Sequence, residues 1–158
     1  MPDYAFAEYA IAAEKNLVHK PKNISFVDAA AIPTGGLTAL QGLRNHGRIT
    51  SGQRVLIIGA SGGVGTYTVQ IAKSFHTHAT AVCSTRNIAM VKRIGADEVI
   101  DYTQEDWDGA GPYDLILDMV GDRPFDVLDA DGGFAEDQVG FNAVPTLQAA
   151  RAETLHSA

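Results

Sequence analysis

Apolar and polar positions follow three regimes along the chain. Residues 4–18 alternate loosely between the two, and Lys20-Pro21-Lys22-Asn23 breaks that pattern. Ser25 and Asp28 stand at capping-box spacing ahead of Ala29-Ala30-Ala31, which predicts a short helix from Phe26. Pro33 should stop it, because proline lacks the amide that the helical ladder needs. Thr34-Gly35-Gly36 then reads as a turn. Leu37, Leu40, Leu43 and Arg44 predict a second helix, ended by Gly47 as a left-handed cap.

From residue 54 the pattern changes. Val55-Leu56-Ile57-Ile58 is a continuous apolar run bounded by Ser51-Gly52 and Gly59, as expected of a strand buried on both faces. A glycine cluster follows, and then Val64, Tyr67, Thr68, Ile71, Ala72 and Phe75 at helical spacing. Ala79–Cys83 predicts a second strand, and Asn87–Ile94 a short helix stopped by Gly95, with Lys92 and Arg93 where cations suit the helix dipole. Glu98-Val99-Ile100 and Leu115-Ile116-Leu117 complete the series. Strands alternating with helices in this order predict an α/β fold, a parallel, doubly wound sheet. The third regime begins beyond Gly121, where Asp126, Asp129, Asp131, Glu136 and Asp137 crowd a stretch containing Gly132-Gly133. Ala143–Leu155 carries the one helical pattern there, and no further strand-like run follows.

Composition narrows the function. Twelve basic against nineteen acidic residues give a formal charge of −7. Nucleic acid and anionic membranes both call for basic patches, so neither is expected as a partner. One cysteine excludes an intramolecular disulfide and suits a reducing, cytoplasmic setting. No apolar run approaches the roughly 20 residues that span a bilayer, and no targeting segment is visible in MPDYAFAEYA.

The strongest chemical signal is Gly59-Ala60-Ser61-Gly62-Gly63-Val64-Gly65, between a buried strand and an amphipathic helix. A helix N-terminus offers unpaired amides and a positive dipole end to a pyrophosphate. Gly62 lets backbone approach the phosphates, and Gly65 lets helix and sheet pack closely. The match is A-x-G-x-x-G, with Ala60 in the first place. NAD sites carry an acidic residue about 20 positions onward for the ribose hydroxyl. Here the second strand ends Cys83-Ser84-Thr85-Arg86, with no carboxylate. Arg86 can pair with a 2′-phosphate and Ser84 can donate to it, which favours NADPH. The plainer reading of Arg86 is a solvated residue before a helix.

These residues belong to a wider pattern. Phe6-Ala7-Glu8-Tyr9, Lys20-Pro21, Ser25-Phe26, Gly36-Leu37-Thr38-Ala39, Gly52–Ile57, Gly59–Gly65, Val69–Lys73, Gly95-Ala96-Asp97, Ile100-Asp101-Tyr102 and Asp114–Asp118 keep one order and spacing. Over residues 4–121 the chain resembles the medium-chain dehydrogenase/reductase superfamily, in its zinc-independent, quinone-reductase-like branch. The resemblance implies a partial Rossmann fold with a remnant of an N-terminal GroES-like domain. Residues 1–33 would be the tail of that domain, 34–121 the NAD(P)-binding segment and 122–158 an unassigned, disordered acidic tail, as in a partial chain. It also implies NADPH-dependent reduction of a quinone, enone or related activated carbonyl. Ala60, Ser61, Gly62, Gly63, Val64 and Gly65 would sit at the pyrophosphate, and Ser84 and Arg86 at the adenosine 2′-phosphate. Tyr102 would lie beside the adenosine end, or else pack at the sheet edge. Thr38 would approach the nicotinamide side, or else bond back to its own helix. Asp118–Gly121 would pass near the nicotinamide ribose, with Met119 where a polar residue is expected.

Other signals are weaker. His76-Thr77-His78 has no carboxylate or further histidine close in sequence, Cys83 no partner base, and Asp129-Ala130-Asp131-Gly132 lacks the glycine and glutamate of a calcium loop. No metal and no general acid or base is assigned. Two alternatives stay open: a non-catalytic dinucleotide-binding module, and an S-adenosylmethionine-dependent methyltransferase, although the latter expects an acidic residue where Ser84 and Arg86 stand. A sheet with too few strands also predicts self-association.

Overall fold

The computed structural model describes residues 8–105 and 111–121, together with the backbone of 141–142 and 146–147. The chain divides into two compact units, Met1–Ile32 and Pro33–Ala158. In the first, a 3-10 turn at Glu14–Asn16 precedes the start of helix α1, Phe26–Leu40. Half of the expected capping box forms there: the Asp28 amide donates to Ser25 Oγ at 3.0 Å, while the Asp28 carboxylate accepts at 2.6 Å from that hydroxyl instead of from the Ser25 amide. Among the described residues of 8–33 there is no strand.

Pro33 does not end α1. The helix runs on through it to Leu40 and then widens into a π turn over Gln41–His46. Pro33 costs one helical amide, but on an exposed stretch where solvent can serve the freed carbonyl, while buried Ala39 and Leu43 anchor the far half. The predicted turn at Thr34-Gly35-Gly36 is helical too. Gly35 is needed for closeness: a Cβ there would lie 2.8 Å from the Gly63 carbonyl and 2.9 Å from the Tyr67 ring. Gly47 is likewise no left-handed cap. Its φ is −70°, and the positive φ falls on Arg48 at 44°. A Cβ at Gly47 would meet Leu115 Cδ2 at 2.7 Å, so packing decides that position.

The second unit is built on four parallel strands: β1 (Arg54–Ile58), β2 (His78–Cys83), β3 (Glu98–Asp101) and β4 (Leu115–Asp118), in spatial order β3-β2-β1-β4. Helix α2 (Gly65–Ser74) joins β1 to β2. A 3-10 turn at Thr85–Asn87 leads into α3 (Ile88–Arg93), which joins β2 to β3. The alternation of side chains along a strand separates two apolar layers. Val55, Ile57, Ala79, Ala81, Leu115 and Leu117 face Val69 and Ala72 of α2, Val91 of α3 and Leu43. Leu56, Ile58, Val82 and Ile116 join Tyr113 in a second cluster. Every apolar residue of β1 is at most 5% exposed, and each such burial contributes roughly 1.5–3 kcal/mol.

The strand order fixes where a ligand can enter. From β1 the chain steps outward to β2 and β3, then returns to the other side of β1 for β4. That reversal opens a crevice at the carboxyl ends of β1 and β4. Further along, Phe141–Asn142 (β5) and Thr146–Leu147 (β6) pair antiparallel. Residues 146–147 therefore form a strand, not part of the helix expected over Ala143–Leu155. Pairing with Phe141–Asn142 supplies their ladder bonds locally, which outweighs helix propensity. The remainder of that prediction, and the expected disorder of 122–158, lie outside the described residues.

Candidate functional site

A cavity of about 390 Å³ occupies that crevice. Its floor is the loop from Gly59 to Gly65. Gly59 turns the chain out of β1 with φ +77°, and a Cβ there would press within 2.9 Å of Val120 Cγ2. The Gly62 amide donates back to the Gly59 carbonyl at 3.0 Å, and Gly62's own carbonyl accepts from Thr66, which winds the loop into α2. Gly65 lies against Ala60, where a Cβ would approach the Ala60 Cα to 2.7 Å. Ser61, Gly62, Gly63, Val64 and Gly65 all line the cavity. Ala60 does not. It is fully buried beneath the loop, and its amide donates to the Val82 carbonyl at 3.1 Å, tying β1's exit to β2.

The far wall comes from the end of β2 and the turn after it. Ser84, Arg86 and Asn87 line the cavity there, with Tyr102 beyond β3 and Met119 and Val120 beyond β4. Arg86 is exposed and has no ion pair or side-chain hydrogen bond among the described residues. Among the described lining residues it is the only side chain charged at neutral pH. Free amides at the start of α2 and an unengaged guanidinium on the opposite wall form a donor-rich cleft suited to an anion with two phosphate centres.

Carboxylates near this wall are engaged elsewhere. Thr85 Oγ1 donates to Asp101 Oδ2 at 2.5 Å, while the Thr103 amide and hydroxyl donate to Oδ1. The Thr85 hydroxyl, then the Thr103 groups, outweigh burial and hold the Asp101 carboxyl below its usual range. The cluster pins the turn carrying Arg86 to the strand end carrying Tyr102. Asp118 Oδ1 accepts from the Val120 and Gly121 amides at 2.7 and 3.0 Å, which shapes the turn after β4. Cys83 is buried, and burial followed by the Asp101 charge pushes its thiol up. It is a packed thiol.

Comparison with known proteins agrees with this geometry. A family model described as "Zinc-binding dehydrogenase" matches residues 94–157. A chloroplast envelope quinone oxidoreductase homolog from Arabidopsis thaliana is 43% identical over 133 residues, covering 78% of this chain and 40% of the plant protein. The human mitochondrial NAD(P)H oxidoreductase RTN4IP1 is 40% identical over 123 residues, covering 73% of this chain and 31% of its own. Among solved structures, a quinone oxidoreductase from Coxiella burnetii superposes with a TM-score of 0.62 at 40% identity, over 66% of this chain and 33% of that one. The chain belongs to the medium-chain dehydrogenase/reductase superfamily, in its quinone-reductase-like branch.

Membership in that superfamily replaces the methyltransferase alternative. This dehydrogenase/reductase chain spans 31–40% of the length of these two curated relatives. Of the ten residues singled out from its sequence, eight line one cavity; Ala60 supports it from beneath, and Thr38, half-buried on α1, is not part of its lining. Asn87 was missed. Its signal is faint: an amide three residues after Ser84, in a turn that reaches back toward the loop. Among the described residues, no three His, Cys, Asp or Glu side chains are grouped so as to hold a metal ion, and no helix is long and apolar enough to cross a membrane.

Proposed function

We propose that this chain forms the NADPH-binding part of an oxidoreductase that reduces a quinone, enone or related activated carbonyl. The observation that carries the reading is the pairing, across one cavity, of the glycine loop with Ser84 and unpaired Arg86, where an NAD site would carry a carboxylate. The activities after which the relatives are named, NAD(P)H and quinone oxidoreductases, support the class. NADPH, when bound, supplies the hydride. The protein's part is to hold the pyrophosphate on the amides of Gly63–Gly65, with Gly62 leaving room for it, and the 2′-phosphate on Ser84 and Arg86, with Tyr102 flanking the adenosine. Orientation does most of what such a transfer needs. The substrate is a small molecule rather than a nucleic acid or membrane, and the free Cys83 suits a reducing compartment such as the cytoplasm.

Calorimetric titration of NADPH and NADH against wild type and Arg86→Ala tests the cofactor. Arg86→Ala should weaken NADPH by roughly 1–3 kcal/mol and leave NADH unchanged. Equal losses, or a preference for NADH, would overturn it. A second reading, left open by the sequence, is a dinucleotide-binding module without turnover. Mixing protein, NADPH and a simple quinone and following nicotinamide absorbance separates the two: turnover marks the enzyme, binding without turnover the module.

A further inference from the structure

Resting on that NADPH reading, we propose that Asn87 is a positioning residue that turns two serine hydroxyls, one on each wall of the cavity, into donors for the cofactor's phosphates. Asn87 Nδ2 donates to Ser61 Oγ at 3.1 Å and to Ser84 Oγ at 3.2 Å. Ser61 belongs to the loop after β1, and Ser84 directly follows β2. The Asn87 backbone N–H also donates to the Ser84 carbonyl at 2.9 Å, so the side chain springs from a turn closed by the chain's own backbone. One amide nitrogen carries two hydrogens, and here each is committed to a different serine. A serine hydroxyl so engaged as an acceptor keeps its own hydrogen for another partner. Both serines line the cavity, and a phosphate oxygen only accepts.

Two consequences follow from one side chain. The bridge presents a donor at the pyrophosphate loop and a second beside Arg86, each polarised by the amide behind it. It also fixes the spacing between the two phosphate-facing walls. Asparagine at this position is thus matched to a ligand with phosphates at both ends of the cleft. Aspartate, of the same size, would reverse the arrangement: an acceptor alone, it would draw both serine hydrogens to itself and add negative charge.

The test uses the full chain and titrates NADPH and NADH against wild type, Asn87→Ala, Asn87→Asp, Ser61→Ala and the Asn87→Ala/Ser61→Ala double variant, with unliganded melting measured alongside. Asn87→Ala should weaken both cofactors about tenfold, the scale of two neutral hydrogen bonds. Asn87→Asp should weaken them further, NADPH more than NADH, while melting with wild type. Asn87→Ala should cost less once Ser61 is already alanine, because the bridge acts through the hydroxyl. Wild type that binds NADPH no better than Asn87→Asp, or strictly additive losses in the cycle, would overturn the bridge alone. Wild type that binds neither cofactor would overturn the NADPH reading and the inference with it.

Discussion

Gly65→Ala adds one methyl group at the point where α2 meets the loop. Its Cβ would lie 2.7 Å from the Ala60 Cα and 2.8 Å from the Ala60 carbonyl carbon, with the Gly59 carbonyl oxygen nearer still. Carbon atoms normally rest about 3.5–4.0 Å apart, so the overlap is roughly 1 Å. Every atom in the way is backbone, and no rotamer can relieve it. The start of α2 must therefore lift from the sheet, carrying Val69 and Ala72 out of the layer they share with Ala81 and Leu117. Overpacking of a core costs about 1–3 kcal/mol, and the absence of any yielding side chain puts this case at the upper end. A loss of about 3 kcal/mol corresponds to a fall of about 10 °C in melting temperature for a chain of this size. Gly63→Ala is the matched control, because a Cβ there meets nothing within 4 Å. Thermal unfolding followed by circular dichroism, with urea titration alongside, reads both variants. Gly65→Ala melting with wild type, or Gly63→Ala losing as much, would refute the argument that backbone proximity dictates glycine at the third motif position.

Gly62→Ala meets only the Gly59 carbonyl, at 3.3 Å, so it should melt close to wild type yet weaken NADPH at least about tenfold in the same titrations, because that face must admit a phosphate. Burial of Asp97 opposes its charge, but bonds from the Lys73 ammonium and the Ala79 amide prevail and lower its pKa. A folded pKa below the unfolded one means this stabilisation is complete above about pH 4 and fades as pH falls through the folded value. Asp97→Asn should therefore cost about 1 kcal/mol at pH 7 and flatten the acid limb of a stability–pH curve. Cys83, buried with its thiol pushed up, should label with a thiol reagent only as fast as the protein opens, and denaturant should accelerate labelling sharply.

The four strands could be read from sequence because each is a short apolar run between breakers, and burial on both faces leaves few other uses for such runs. The observed limits of β1 and β2 extend the predicted ones by a single residue each, Arg54 and His78. The errors cluster where glycine and proline were interpreted by local rules alone. Gly35 and Gly47 look like turn residues, yet both serve close approach, to Gly63 and Tyr67 in one case and to Leu115 in the other. The sequence marks such a position as small without saying whether conformation or proximity demands it. Proximity involves residues distant along the chain, so only the folded structure decides.

The same division runs through the cavity. Ser61, Gly62, Gly65, Ser84 and Arg86 were legible because a strand–loop–helix unit repeats its geometry, so that spacing alone locates the loop and the end of the next strand. Asn87 was not legible, since its meaning lies in a bond to Ser61, which belongs to a different crossover. The Asp101 cluster was hidden for a related reason. A carboxylate at the end of β3 could have opposed an anionic ligand, and only its bonds to Thr85 and Thr103 show that it faces the supporting turn instead. Motif spacing thus identifies groups that line the cavity, whereas the groups bonded behind them are set by packing between successive strands. In this chain the contacts made by Asn87 and Asp101 link the carboxyl ends of neighbouring strands around one cleft, while Asp118 shapes the turn that follows its own strand. A substitution among them should therefore disturb binding with little warning from the motif itself.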